Sequence, residues 1–510
     1  MRKTSPFFVI ACLWVCMSLN TYSQSSSLSS RAAYLEKRAS LVEADKSKGF
    51  EYGVILTDAE KQLDEKLHLM QREMIQTYQA AHFFPPARNF YNSKAHIEQT
   101  KLFQLMQKMP KGGILHLHLA AAGDAEWMVE KAVNMPEVYV YWEADNQEFL
   151  KGQMACFPSS KVPKGFYAAQ SLHQSVPQFT DSLRSFLIFD ESIDADSVDI
   201  WKDFEAVFKR IFGLVAYRPF FREYLNTTID SLLADGIQHA EFRIGFAQEG
   251  LYDFNQADRY PVDTLIVEFQ RATQRARKKD PAFSLKFIQT SLRFFDRDVI
   301  WKSLQEAFKN RQRFPDIISG FDLVAEEDAG HETLYFLDSW LKIDSLEQVY
   351  GIDMPLFLHD GESNWVSVDN LYDAVLLKSK RIGHGFNLFR FPSLIEAVKK
   401  QDICIEISPL SNQILGYIRD LRMHPGSYYL RQGIPVTISS DDPLIFDYSG
   451  LSYDFWSIYM AWELDLRGLK QLCKNSLIYS SLTEAEKKQA LTAWERKWEA
   501  FVKEALEVLE

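Results

Sequence analysis

Cysteine is scarce in this chain: there are five in 510 residues, and two of them, Cys12 and Cys16, lie inside the first apolar run. The other three, Cys156, Cys404 and Cys473, cannot build a disulfide framework, and no CxxC pair offers a thiolate zinc site or a redox motif. A basic excess is missing too. The net charge of −12 argues against nucleic acid or an anionic membrane as a partner, because both demand a basic surface. No permanent membrane anchor is evident at the N-terminus, where the apolar stretch 7–19 falls short of the roughly 20 residues that span a bilayer. There are no internal repeats, and the only biased tract is the Ser cluster at 25–30. What remains is ordinary globular composition, 46% hydrophobic and 25% charged, in a chain long enough to bury a core without covalent staples.

The N-terminus has a recognisable order: Arg2 and Lys3, the apolar run, then a small polar exit from Ser23 to Ser30. That order describes a secretory signal peptide over residues 1–24, cleaved near Ser23 or Gln24, so the mature protein is expected to be exported. Cys12 follows Val9-Ile10-Ala11, but the apolar stretch before it is too short for a lipoprotein signal.

Residues 25–108 read as a helical N-terminal region. Thr57-Asp58-Ala59-Glu60 is a capping box, and Leu63, Leu67, Met70, Met74, Ile75 and Tyr78 follow at helical spacing. Phe84-Pro85-Pro86 ends that helix, and a second is expected over about 95–109. The apolar stripes suit packing on the main domain or on a second subunit.

From Gly113 onward, eight short apolar runs qualify as strands: 113–119, 237–244, 285–291, 318–324, 355–360, 381–385, 403–408 and 435–440. Most are separated by helical patterns such as 262–278 and 334–350. Alternating strands and helices predict parallel βαβ units, and eight of them predict an α/β fold of the (β/α)8 barrel type over 109–500. One gap, about 120–236, is far longer than a crossover helix. Its part at 135–190 is rich in Pro, Ser and Gln and reads as an inserted subdomain, within an insertion placed at about 125–195. Helical spacing returns from Trp201 to Asp235.

Polar clusters sit at the ends of these runs, where a barrel collects its active site. His116 and His118 lie two apart on one strand face. His359 ends the fifth run and Asp441 the eighth, so four nitrogen and oxygen ligands from distant positions become candidates for one catalytic zinc. Glu362, just past His359, is placed to act as a general acid if burial raises its pKa. His384 lies between Gly383 and Gly385, which lets another group approach closely, and Asp442 must face differently from Asp441.

Met109-Pro110-Lys111-Gly112, Leu115-His116-Leu117-His118, Phe321-Asp322-Leu323-Val324, His359-Asp360-Gly361-Glu362, Arg381-Ile382-Gly383-His384-Gly385, Ser408-Pro409-Leu410-Ser411-Asn412-Gln413 and Ile438-Ser439-Ser440-Asp441-Asp442-Pro443 together resemble the adenosine deaminases. Phe84-Pro85-Pro86, Trp201-Lys202-Asp203-Phe204-Glu205 and Gly450-Leu451-Ser452-Tyr453-Asp454-Phe455 are similar to the secreted branch, the adenosine deaminase-related growth factors. The resemblance covers about residues 55–500. It implies an amidohydrolase-type barrel, an N-terminal region that forms a homodimer, and one zinc held by His116, His118, His359 and Asp441. It also implies a reaction, adenosine or a close 6-aminopurine nucleoside plus water giving inosine and ammonia. Glu362 would protonate the purine ring, His384 would orient or deprotonate the attacking water, and Asp442 would bond the purine's imidazole nitrogen. Trp201 and the backbone at Ala325 would line the substrate pocket.

The chain departs from that pattern where the substrate is held. Leu119 and Ala120 stand where the two branches have a sugar-contacting Asp, and Ala325 stands where they have Gly. Asp124, a few residues on, is a candidate replacement carboxylate. Cys156 is single where the secreted branch has a disulfide pair. Two other readings stay open: an aminohydrolase of another amino-substituted purine, and a binding or signalling protein on an inactive deaminase scaffold.

Overall fold

Gly112 takes φ +80°, where a Cβ would strike the Cys473 carbonyl, and so turns the chain tightly into the first strand, β1 (Gly112–His118). The computed structural model to which β1 belongs describes residues 30–190, 192, 199–245, 250–253 and 258–510. The segment 1–24, expected to be a signal peptide, and Cys12 lie outside the described residues. Residues Met1–Ser47 and Lys48–Glu510 are separate compact units. In the first, the helix Arg31–Lys46 is capped by Ser30, which accepts the Ala33 N–H at 3.2 Å, and it buries no residue. The helical region expected over 25–108 therefore divides, because the residues from 48 onward belong to the second unit.

In that second unit β1 is followed by an insertion, a three-stranded antiparallel sheet of β2 (Val138–Tyr141), β3 (Met154–Cys156) and β4 (Phe166–Ala168) in the order β3-β2-β4. Cys156 is buried in β3 as a free thiol. The other runs become β5 (Ile237–Ile244), β6 (Ser284–Leu292), β7 (Ile318–Val324), β8 (His359–Asp360), β9 (Arg381–His384), β10 (Cys404–Ile407) and β11 (Val436–Ile438). They pair in parallel as β1-β5-β6-β7 and β8-β9-β10-β11. Parallel bridges Phe321–Leu356 and Leu117–Asp441 join the two sets, so the eight strands close into the expected barrel. β8 is short, and the stretch before His359 is held by Phe321 N–H to Pro355 O and Phe357 N–H to Phe321 O, both 3.0 Å.

Outside the barrel, the apolar members of each strand meet helices, as Phe242 of β5 meets Phe269 of the helix Val262–Ala276 edge-on. Inside it, β5 presents His239, Glu241 and Arg243, all buried. Barrel interiors are usually filled by branched apolar side chains. This one is filled in large part by charge.

The N-terminal helices of the second unit pack on the barrel. Asp58–Ala80 begins at the capping box, with Thr57 Oγ1 accepting the Glu60 N–H at 3.3 Å and Glu60 accepting the Thr57 N–H at 2.7 Å. Its Leu63, Leu67 and Tyr78 enter the core, and Met70, Met74 and Ile75 pack against it. The single helix expected over 95–109 is two, Phe90–Glu98 and Lys101–Lys108. Thr100 breaks it, since its hydroxyl caps the Phe103 N–H at 3.1 Å and so offers the backbone a non-helical partner. Likewise the pattern at 334–350 resolves into short turns and the helix Ile343–Tyr350, and 201–235 into Ile200–Val215 and Arg218–Ala234, with Pro219 opening the second. Among the described residues no helix is long and apolar enough to cross a membrane.

Glu60 does more than cap. Buried at 3% exposure, it also accepts from Trp498 Nε1 at 2.6 Å and from Lys470, tying the first helix of this unit to the last, Glu484–Leu509. Glu60→Ala is expected to lower unfolding stability by about 1–3 kcal/mol, the worth of a cap plus stranded buried donors. Glu486→Ala, in the matching exposed box at Thr483, should cost about 1 kcal/mol or less. Urea titration of both variants measures the difference, and equal losses would remove the clamp role from Glu60.

Candidate metal centre

The alternation of β1 puts Leu117 into the hydrophobic core and turns His116 and His118 to the opposite face. His359 opens β8, and Asp441 follows β11 at φ +64°, a left-handed turn that swings its carboxylate over the barrel mouth. One ligand atom from each of His116, His118, His359 and Asp441 lies within 4.8 Å of the others. Asp441 Oδ1 is 3.2 Å from His116 Nε2 and 3.4 Å from His118 Nε2, while His118 Nε2 and His359 Nε2 are 3.2 Å apart.

Each deeper histidine is held from behind. His116 Nδ1 is 3.0 Å from Glu406 Oε2, and His359 Nδ1 is 2.7 Å from Asp322 Oδ2. A carboxylate at Nδ1 fixes the proton there and leaves the Nε2 lone pair facing the centre, the usual support for a ligating histidine. Ser411 Oγ donates to Asp441 Oδ2 at 2.8 Å. His116 Nε2 and Asp441 Oδ1 are sealed from water, and among the described residues neither makes a well-formed hydrogen bond, although they lie 3.2 Å apart. Buried polar atoms are rarely left so. Three imidazoles and a carboxylate converging with unshared lone pairs fit a zinc ion.

The electrostatics split the neighbouring carboxyls into two kinds. Burial pushes Asp441 up, but His384, His116 and His118 outweigh it and hold this carboxyl well below the usual range. Burial, with Asp441 and Glu327 beside it, pushes Glu362 well above that range. Asp442 is raised in the same way by burial and by Asp441. His384 is drawn far down by burial, and His359 to about 3. Glu362 Oε1 lies 3.4 Å from His384 Nδ1, and His384 Nε2 lies 3.9 Å from Asp441 Oδ2, which makes Glu362, His384 and Asp441 a second group sharing one member with the first.

Residues 167–495 match the family described as Adenosine deaminase, and residues 9–106 the family described as Adenosine/AMP deaminase N-terminal. Adenosine deaminase 2 of Sus scrofa is 33% identical over 94% of this chain and 96% of its own length, and adenosine deaminase 2 of Dictyostelium discoideum is 34% identical over 82% and 78%. A zinc-bound amidohydrolase structure from Burkholderia ambifaria superposes with a TM-score of 0.57 at 14% identity, covering 80% of this chain and 96% of that one. The chain belongs to the adenosine deaminase family.

Within this deaminase barrel the remaining expected site residues take distinct places. Trp201, half-buried on the helix Ile200–Val215, donates its Nε1–H to the Tyr417 hydroxyl at 3.0 Å, and Tyr417 in turn feels the Glu362 carboxyl. Ala325 follows β7, and the next residue's N–H bonds Glu205 from the Trp201 helix. Leu119 is fully buried in the turn Leu119–Ala121. The Ala120 carbonyl accepts from Tyr224 at 2.9 Å. Asp124 caps the helix Ala125–Val133, its Oδ1 accepting the Trp127 N–H at 2.7 Å. Asp322, Glu406, Arg243, Ser411 and Tyr417 were not singled out from sequence for the centre. Glu241 and Arg243, alternating inside the apolar run of β5, and Glu406, alone in Ile403-Cys404-Ile405-Glu406-Ile407, carried the available signal.

Ala325 sits at φ +88°, where an L-residue's Cβ meets its own backbone. Ala325→Gly is expected to stabilise the protein by about 1 kcal/mol, the relief of left-handed strain less the entropy of glycine. Thermal unfolding checks this, and a lowered midpoint would show that the methyl packs favourably enough to outweigh the strain.

Proposed function

We propose that this chain is an exported zinc-dependent deaminase that hydrolyses the 6-amino group of adenosine, or of a close 6-aminopurine nucleoside, to inosine and ammonia. The observation that carries it is the convergence of four ligand atoms, within 4.8 Å, beside the buried Glu362 carboxyl. His116, His118, His359 and Asp441 would hold the zinc. Bound there, it supplies the Lewis acidity that activates water near neutral pH.

The chain's own groups do the rest. Glu362, buried and with its pKa pushed up by burial, is placed to give the proton that a purine ring nitrogen needs as its ring loses aromaticity. His384, with Nδ1 toward Glu362 and Nε2 toward Asp441, is placed to orient the attacking water and accept from it. Asp442, its pKa pushed up by burial and by Asp441, has Oδ1 buried with no hydrogen bond among the described residues, and it is placed to bond the purine's imidazole nitrogen. Trp201 and Ala325 form the wall against which the ring lies.

One observation favours a second substrate reading. Leu119 and Ala120 stand where the family has a sugar-contacting Asp, and Leu119 is buried, so an amino-substituted purine with a different substituent suits the pocket as well. Steady-state kinetics on adenosine and on free adenine with the zinc-loaded protein separate the two, since only the first reading expects the nucleoside to have the higher kcat/KM.

Export follows from the leader at 1–24, with cleavage near Ser23 or Gln24. Self-association as a homodimer is assigned to the helix Arg31–Lys46, whose Tyr34, Leu35 and Leu41 are all more than half exposed. Sedimentation of the chain lacking residues 25–47 should give a monomer where the mature protein gives a dimer, and an unchanged mass would remove the helix from the interface.

His116→Ala and Asp441→Ala should each lose bound zinc and all activity. Glu362→Gln should keep near-stoichiometric zinc while kcat falls by roughly 10²–10⁴, the worth of a positioned general acid. Metal analysis and kcat on the same preparations decide both assignments. Full zinc in either ligand variant, or a loss below threefold in Glu362→Gln, would reassign these roles.

A further inference from the structure

Arg243 of β5 is 1% exposed, and its guanidinium reaches across the barrel interior. Nε donates to Asp322 Oδ2 of β7 at 2.7 Å, and a terminal nitrogen donates to Glu406 Oε2 of β10, also at 2.7 Å. Those are the same two oxygens that face His359 Nδ1 and His116 Nδ1. The other terminal nitrogen donates to the Leu115 carbonyl at 2.9 Å, next to His116 in the chain, and a longer contact of 3.4 Å reaches the Phe357 carbonyl, two residues before His359. One rigid cation thus touches both carboxylates behind the centre and the backbone beside both histidines.

We propose that Arg243 is a positioning residue for the metal centre, coupling the orientation of His116 on β1 to that of His359 on β8. The planar fork is what allows this. Its donors diverge at fixed angles, so Asp322 and Glu406 cannot turn independently, and each imidazole is held by a carboxylate that is itself held. A lysine ammonium would keep the charge but lose the fixed angle. Arg381 provides the internal comparison. It is as buried and as fully paired, but it meets Glu406 at Oε1, away from His116, and otherwise binds Glu241 and the Tyr479 carbonyl.

The inference rests on the zinc reading of this site, and the test keeps the two apart. Zinc affinity is measured by competition with a chromogenic chelator, and thermal unfolding is measured on the metal-free proteins, for wild type, Arg243→Lys and Arg381→Lys. Arg243→Lys should weaken zinc binding by about 10–100-fold, the usual effect of losing support behind a ligand. Arg381→Lys should lower the metal-free midpoint comparably and change zinc affinity less than threefold. Equal zinc affinity in Arg243→Lys and wild type, or an equal loss in both variants, would overturn the positioning role. A wild-type protein that takes up no zinc would instead refute the metal reading. Should Arg243→Lys fail to fold, Asp322→Asn takes its place, because it cuts the branch to His359 while Glu406 keeps Arg381. The same weakening is expected, and unaltered affinity would overturn the proposal.

Discussion

Charge sealed from water has to be neutralised within hydrogen-bond reach, and that requirement organises the middle of this barrel. Glu241, Arg243, Asp322, Arg381 and Glu406 are all within 1% of full burial. Leaving any one of them alone would cost several kcal/mol. Each therefore finds partners on other strands: β5 to β7 and β10 through Arg243, β5 and β10 to β9 through Arg381. Burial raises every carboxyl in isolation, yet the paired arginines and the neighbouring histidines hold Glu241, Asp322 and Glu406 low. An apolar filling would make the barrel at least as stable. What charge adds is direction, because these carboxylates also set which imidazole nitrogen faces the mouth.

The same economy explains why Glu362 and Asp442 differ from Asp441. All three are buried within one site, but the histidines crowd Asp441 and leave the other two to meet its negative charge. One ionised carboxyl forces its neighbours to keep their protons. Three chemically similar side chains thus differ in how firmly they hold a proton, Asp441 least and Glu362 and Asp442 most.

Much of this was legible in the residues, and what was not has physical causes. The eight strands stood out because parallel strands buried on both faces are short continuous apolar runs, and the site stood out because histidines and acids ended them. The insertion at 135–190 gave little periodicity because its three strands are three or four residues long. The break at Thr100 was hidden inside an apolar stripe that continues across it. Arg243, Asp322 and Glu406 were hard to link because a single charge within a strand has no local partner. Glu406 lies 163 residues from Arg243 and 290 from His116, and only closure of the ring brings them together.

The clamp on Glu60 has a consequence for how the molecule is made. Trp498 lies 438 residues further along the chain, and the same last helix supplies the Leu509 and Val508 carbonyls to Lys66 and Lys101 and sends Trp494 Nε1–H to the Pro110 carbonyl. The seam from Leu117 to Asp441 also waits for the eighth barrel strand. A nascent chain emerging from the ribosome therefore holds the helices between Asp58 and Lys108 without these partners until synthesis is nearly complete. Contacts so distant in sequence are slow to form.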